Sequence, residues 1–223
     1  FNLPKGVSSR KNDETKHSYY WAMDIRPENV EKHIKYAKAG GFKLFMICVN
    51  SFSVNGHYDW LPHFSNGIDD LKKIVEKINN AGMKAGLHLY PTKAHITDRY
   101  VTGTPDHRLS LRKIFTLAEP ISDTTRVITV EESPETCTLE DRRRILKLGD
   151  ELIAYQDYTT ERPYQFKGCQ RGYLETKSFA REKGFKFGLL NIDTWPIWVI
   201  YDQQTNIQHE VAERIKEIYN EAG

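Results

Sequence analysis

Phe64-Ser65-Asn66-Gly67-Ile68-Asp69-Asp70-Leu71, running through an amphipathic stretch to Gly86-Leu87-His88-Leu89-Tyr90-Pro91, decides how the fold is read. Ser65 or Asn66 stands where a side chain can cap the open N–H groups of a helix. Asp69 and Asp70 put negative charge in its first turn, the sign that suits the positive end of the helix dipole. Ile68, Leu71, Ile74, Val75 and Ile78 recur at three and four residues and share one face, which needs a sheet to cover it. Asn80-Ala81-Gly82 ends the helix, with Gly82 taking the left-handed conformation, and Met83 to Tyr90 follows as a strand expected to be buried on both sides.

The unit recurs. Val30 to Tyr36 is predicted helical, Ala39-Gly40-Gly41 stops it, and Phe42 to Val49 is the strand; Ile207 to Tyr219 is helical again, with Glu221-Ala222-Gly223 as its stop. Helix, glycine stop and strand in alternation predict a parallel sheet with right-handed crossovers. The expectation is an α/β fold, a partial (β/α)8 TIM-type barrel, cut inside a larger domain of about 250 residues.

The 223 residues, 39% hydrophobic and 28% charged, suffice for one sizeable core and a small second one. A net charge of +2 gives no reason to expect a polyanionic partner, so nucleic acid is not expected; Arg142-Arg143-Arg144 is the only basic run and reads as a solvated patch. No apolar stretch is long enough to span a bilayer, so no membrane partner is expected. Cys48, Cys137 and Cys169 have neither metal-ligand spacing nor disulfide-rich density. Cys48 reads as a small core residue, and Cys137 and Cys169 can pair only if the fold brings them together. The chain starts at Phe1 with no secretion signal, which reads as a processed or excised product and leaves the compartment open.

In chain order, residues 1–17 form a polar N-terminal arm and 18–103 the first part of the barrel, with strands at 19–24, 43–49 and 83–90. Between 104 and 185 the helical period gives way to alternation of apolar and polar residues. Arg126 to Val130, Arg144 to Leu148, Glu151 to Tyr155 and Tyr164 to Cys169 read as strands, with Gly149-Asp150 as a tight hairpin turn. This span is read as an inserted β domain, and 186–223 as the return to the barrel.

In a barrel the reacting groups stand at C-terminal strand ends and in the loops beyond. Asp24, Asn50, His88 and Tyr90 are the strand-end candidates for substrate binding, and Asp59, Trp60, Asp193 and Trp195 the loop candidates. Each has a plainer reading: Asp24 caps the first helix, His88 is a hydrogen-bonded core histidine, and Trp60 packs under its loop. Asp59-Trp60 joins a carboxylate that accepts hydroxyl hydrogen bonds to an indole that covers the apolar face of a sugar, the pair that carbohydrate sites need. His57, His63, His88 and His95 lack metal-site spacing and Ala39-Gly40-Gly41 precedes a strand instead of following one, so neither metal nor nucleotide is expected, and no cofactor.

Phe64 to Leu71, Val75 to Ile78 and Ala81-Gly82-Met83-Lys84-Ala85-Gly86-Leu87 together resemble the stretch joining the second and third strands of barrel glycoside hydrolases in the α-galactosidase (melibiase) clan. The resemblance covers about thirty residues well and the barrel layout around them loosely. It implies an enzyme acting on α-linked sugars and a secreted or periplasmic location. It also implies a sugar-contacting Asp and Trp after the second strand, which Asp59 and Trp60 match in type, and a nucleophilic Asp at the end of a fourth strand, which would begin after Gly223. The catalytic residues are then not in this chain, and the remainder of the barrel is its partner. Leu148 to Tyr155 with Gly168-Cys169-Gln170-Arg171-Gly172 is similar to a β motif of tail- and surface-associated proteins. The competing expectation is a carbohydrate-binding or scaffold barrel without catalysis, since fold alone does not choose between them.

Overall fold

The computed structural model describes residues 16–195 and 197–223, so the N-terminal arm, except Lys16 and His17, lies outside the described residues. The chain divides into two compact units. Among the described residues, one holds residues 16–54, 58–89 and 214–223; the other holds residues 55–57, 90–195 and 197–213.

The first unit contains β1 (Tyr19–Ala22), α1 (Val30–Ala39), β2 (Leu44–Cys48), the short strands β3 (Ser53–Val54) and β4 (Asp59–Trp60), α2 (Ile68–Asn80) and β5 (Lys84–His88). The strands β1, β2 and β5 pair in parallel in that order, Trp21 opposite Met46 and Met46 opposite Gly86. Period-two alternation divides β1 between two faces: Ala22 is buried, while Tyr19 and Trp21 on the other face are 49% and 46% exposed. Tyr20 reaches α1 through a 2.9 Å hydrogen bond between its hydroxyl and His33 Nδ1.

The amphipathic stripe of α2 is buried as its spacing demands, with Leu71, Ile74, Val75 and Ile78 all inside. Its N-terminus is closed differently from the sequence expectation. Neither Ser65 nor Asn66 caps it; Gly67 is the N-cap residue, and the Asp70 carboxylate accepts the backbone N–H and side-chain amide of Asn66, both at 3.0 Å. Those hydrogen bonds hold the Asp70 carboxyl below the usual carboxylate range. Gly82 at φ +81° provides the stop. The strand after it is not buried on both sides: Lys84 of β5 is exposed and the other residues are half-buried, because β5 is the last strand of its sheet.

The second unit is antiparallel. It contains β6 (Lys93–His95), β7 (Leu111–Thr116), β8 (Val127–Val130), β9 (Ile145–Leu148), β10 (Glu151–Ala154), β11 (Asp157–Tyr158), β12 (Tyr164–Lys167), β13 (Lys186–Leu190) and β14 (Trp198–Ile200), and α3 (Ile207–Ala222) leads out of it. The strand orders are β10-β9-β13-β7, β11-β12-β8 and β14-β6. Leu148 pairs with Glu151 across the Gly149-Asp150 turn, with Gly149 at φ +63°. The inner faces of the two larger sheets enclose a core of Phe115, Ile128, Leu146, Leu148, Tyr155 and Phe166 with their neighbours.

These strands correct the barrel reading. Among the described residues the one parallel sheet has three strands and is open, and the other sheets are small and antiparallel, so no (β/α)8 barrel is formed. The physical reason lies in the period of the pattern. A helix, a glycine stop and an apolar strand specify one crossover at a time and say nothing of closure. Past β5 the chain alternates with period two and turns back on itself, which gives hairpin pairing instead of further crossovers.

Two smaller expectations are also corrected. In the run Arg142-Arg143-Arg144 only Arg142 is exposed; Arg143 is buried and bonds to Glu140, and Arg144 donates to Gln156 O and Asp141. Asp24 does not cap α1, whose N-cap residue is Asn29. Cys137 and Cys169 are free and buried in the second core, and burial pushes their thiols up to about 11 and about 12.

Candidate functional site

In the first unit, Asp24 pairs with His33, its Oδ1 3.3 Å from His33 Nε2, and its own side chain is 76% exposed. Asn50 is exposed in the 3-10 turn Val49–Ser51. Asp59 and Trp60 form β4, paired with Val54 and Ser53. The Trp60 ring lies 5.9 Å from Phe52 and 6.3 Å from Phe64, and Gly67 packs against its indole so closely that a Cβ there would sit 3.1 Å from Nε1. The His88 ring lies 5.0 Å from that of the half-exposed Trp21 with the planes tilted by 57°, and its Nδ1 is 3.9 Å from the Cys48 thiol.

In the second unit, two of the predicted residues, Tyr90 and Asp193, meet at one lysine, and a third, Trp195, stands two residues beyond Asp193 in the chain. The β6–β14 ladder sets Lys93 opposite Ile200, and Ile192 bridges Val199, so the turn from Asp193 to Trp198 closes near Lys93. Lys93 Nζ is 2.7 Å from Asp193 Oδ2 and 4.6 Å from the centre of the Tyr90 ring, which itself lies 4.8 Å from Trp198. Thr194 donates its N–H to Asp193 Oδ1 at 2.6 Å and its hydroxyl at 3.0 Å. The Lys93 hydrogen bond first, and the Thr194 hydrogen bonds after it, outweigh burial and hold the Asp193 carboxyl below its ordinary range. Trp195, one residue beyond Thr194, is 64% exposed.

The chemistry available is that of a fixed anion with spare lone pairs, a cation held over an aromatic face, and a large apolar ring open to solvent. An ionised carboxylate accepts hydroxyl hydrogen bonds, and an exposed indole covers a ring that is apolar on one side. Lys93 holds Asp193 ionised through the neutral range, which suits an acceptor and not a general acid. Stability should respond to pH through the same pair. Asp193 unfolded titrates at about 3.9; because its folded value is lower, its contribution is complete above that pH and is lost as pH falls through the folded value. Lys93→Met should shrink this acid limb of the stability profile, measured by thermal unfolding across pH, and the Thr194 hydrogen bonds should keep the remainder.

A second group of residues, not read as a site from the sequence, sits around His57. Asp98, whose side chain is 1% exposed, accepts from His57 Nδ1, from the His57 backbone N–H and from the Tyr100 backbone N–H, each at 2.8 Å. The His57 ring stacks on Tyr100 at 3.8 Å with the planes 25° apart. The Tyr100 hydroxyl donates to Glu210 at 2.5 Å, and Arg108 bridges Glu210 to Asp106 with Nη1 2.8 Å from Glu210 and Nη2 2.7 Å from Asp106. Burial, and then the Glu210 hydrogen bond, push the Tyr100 hydroxyl up; the Tyr100 and Arg108 hydrogen bonds hold Glu210 down. Burial pushes Asp106 up, but its hydrogen bonds from Arg108 prevail and hold it low.

The loop Asn55-Gly56-His57-Tyr58 carries the one signal that could have found this group, a long polar connection in a compact domain. Among the described residues no cluster of His, Cys, Asp and Glu has the makings of a metal site, and no helix is long and apolar enough to cross a membrane. No protein-family model matches this chain, and no curated protein matches it.

Proposed function

We propose that the chain recognises carbohydrate, with Tyr90, Asp193 and Trp195 forming the contact surface and Lys93 holding Asp193 in place. The observation that carries this reading is a lysine-fixed carboxylate two residues before the solvent-exposed Trp195 on one short loop. The resemblance of residues 64–87 to the α-galactosidase clan points to α-linked sugars as the class. It also supports a role within a glycoside hydrolase, whose displacement needs two carboxylates flanking the scissile bond. The Asp193 arrangement supports binding before catalysis, since a carboxyl held ionised by lysine cannot deliver the proton that the leaving group needs.

Replacing Trp195 by Ala should weaken binding of methyl α-D-galactopyranoside by about 1 kcal/mol, the scale of one aromatic contact, with unfolding unchanged because the ring is exposed. Titration calorimetry with a parallel melting curve measures both. Affinity equal to that of the unsubstituted chain would overturn the assignment of Trp195, and absence of sugar binding in the parent chain would overturn the function.

A further inference from the structure

His57 lines a cleft of about 380 Å³ together with Tyr100, Thr104, Asp106, Arg108 and Glu210, and the last three are spent on one another and on Tyr100. Arg108 gives Nε and Nη2 to Asp106 and Nη1 to Glu210 and Asn206. Glu210 receives the Tyr100 hydroxyl on one oxygen and Arg108 on the other. Asp106, Arg108 and Glu210 are therefore paired among themselves, while Arg99, His107 and Asp150 line the rest of the cleft.

His57 differs from its neighbours. Its Nδ1 faces the buried Asp98 carboxylate at 2.8 Å, and a carboxylate that already receives two backbone N–H groups is an acceptor, so Nδ1 carries the hydrogen. In the neutral imidazole Nε2 then bears the lone pair. The tautomer is fixed by a carboxylate partner, the ring is fixed by stacking on Tyr100, and its side chain remains 24% exposed. A buried orienting acid, an oriented imidazole and an open cleft make a preorganised hydrogen-bond acceptor.

We propose that the Asp98–His57 pair forms a second ligand site of this chain, in which His57 Nε2 accepts the hydrogen bond of a hydroxyl group on a polyhydroxylated ligand. The requirement for a hydrogen-bond donor follows from the acceptor, and a hydroxyl is the donor that the carbohydrate reading supplies. The choice of a sugar as the polyol rests on the carbohydrate reading above; the role of His57 does not. Asp98 acts as a positioning residue, since it reaches the ligand only through the imidazole.

Side-chain nitrogen NMR of the full chain at mildly alkaline pH, titrated with methyl α-D-galactopyranoside, tests the site. The free protein should show His57 as the Nδ1–H tautomer, and its Nε2 resonance should shift saturably with sugar, in the parent chain and in Trp195→Ala alike. His57→Gln should weaken the binding seen at the Tyr100 and Thr104 amides about fivefold, the worth of one neutral hydrogen bond. Asp98→Asn should populate the other tautomer and weaken the same binding. A free His57 found as the Nε2–H tautomer overturns the proposal, as does an Nε2 resonance that stays still while the Trp195 indole responds, an outcome that leaves the carbohydrate function standing. If neither group responds, both fail.

Discussion

Glu151→Ala is expected to cost the second unit about 3–5 kcal/mol, the penalty for removing one partner of a buried ion pair. Glu151 is completely buried and Arg171 nearly so, with Arg171 Nε 2.6 Å and Nη2 2.7 Å from the two carboxylate oxygens. The same carboxylate accepts the backbone N–H groups of Gly172 at 3.1 Å and Phe179 at 3.3 Å. Truncation therefore takes the carboxylate acceptor from the guanidinium and from two amide donors, while Arg171 keeps Ser122 O and Phe179 O. Replacing both partners, as Glu151→Leu with Arg171→Met, should recover part of the loss, because an apolar pair of similar volume carries no unpaired charge, while the Gly172 and Phe179 N–H groups still lack their acceptor. Hydrogen exchange at the β9 and β10 amides, which report on this unit alone, distinguishes the two variants. A single variant whose protection matches that of the parent chain would show the pair to be dispensable.

The hairpin around that glutamate was legible because its signals are local. Gly149-Asp150 supplies the turn and the strands on either side alternate, so pairing follows from a handful of adjacent residues. Helix α2 was legible for the same reason: its apolar period and its glycine stop are both within one stretch. Barrel closure is a property of the whole strand count, and three repeats of a local unit do not contain it. The strand β7 was hidden by its own chemistry. Arg112-Lys113 breaks the apolar alternation, and Lys113 is accommodated by sending its ammonium to Ser133 O and Thr136 Oγ1, while Ile114 is left 49% exposed.

The sites were legible in residue type and not in partnership. Tyr90, Asp193 and Trp195 were each read as possible sugar contacts, yet nothing near Asp193 in sequence announces Lys93, which is 100 positions away. Pro91-Thr92-Lys93 has no period and no motif, and only the β6–β14 ladder makes it a partner. His57 and Asp98 are likewise 41 positions apart. His57 was weighed as a metal ligand, for which spacing along the chain is diagnostic. A carboxylate–imidazole pair has no such spacing rule, because its geometry is set by two loops and not by one helix.

Gly56→Ala should destabilise the second unit by about 3 kcal/mol or more, and in doing so release His57. Gly56 sits at φ +135°, a backbone region in which side chains cost about 1–3 kcal/mol. A Cβ there would also lie no more than 2.6 Å from Cγ and both oxygens of Asp98. A flexible carboxylate would swing aside, but this one is held by His57 N, His57 Nδ1 and Tyr100 N and is 1% exposed, so moving it breaks hydrogen bonds worth about 1.5–3 kcal/mol each to a charged acceptor. Gly103→Ala is the comparison without a collision. It has φ +71° with nothing within 4 Å of the added carbon, so it should show only the smaller cost of the left-handed region. Denaturant unfolding of the two variants, followed by the tautomer of His57, separates strain from collision. If Gly56→Ala costs no more than Gly103→Ala and leaves the Nδ1–H tautomer intact, Asp98 is free to move and the imidazole is not held by it.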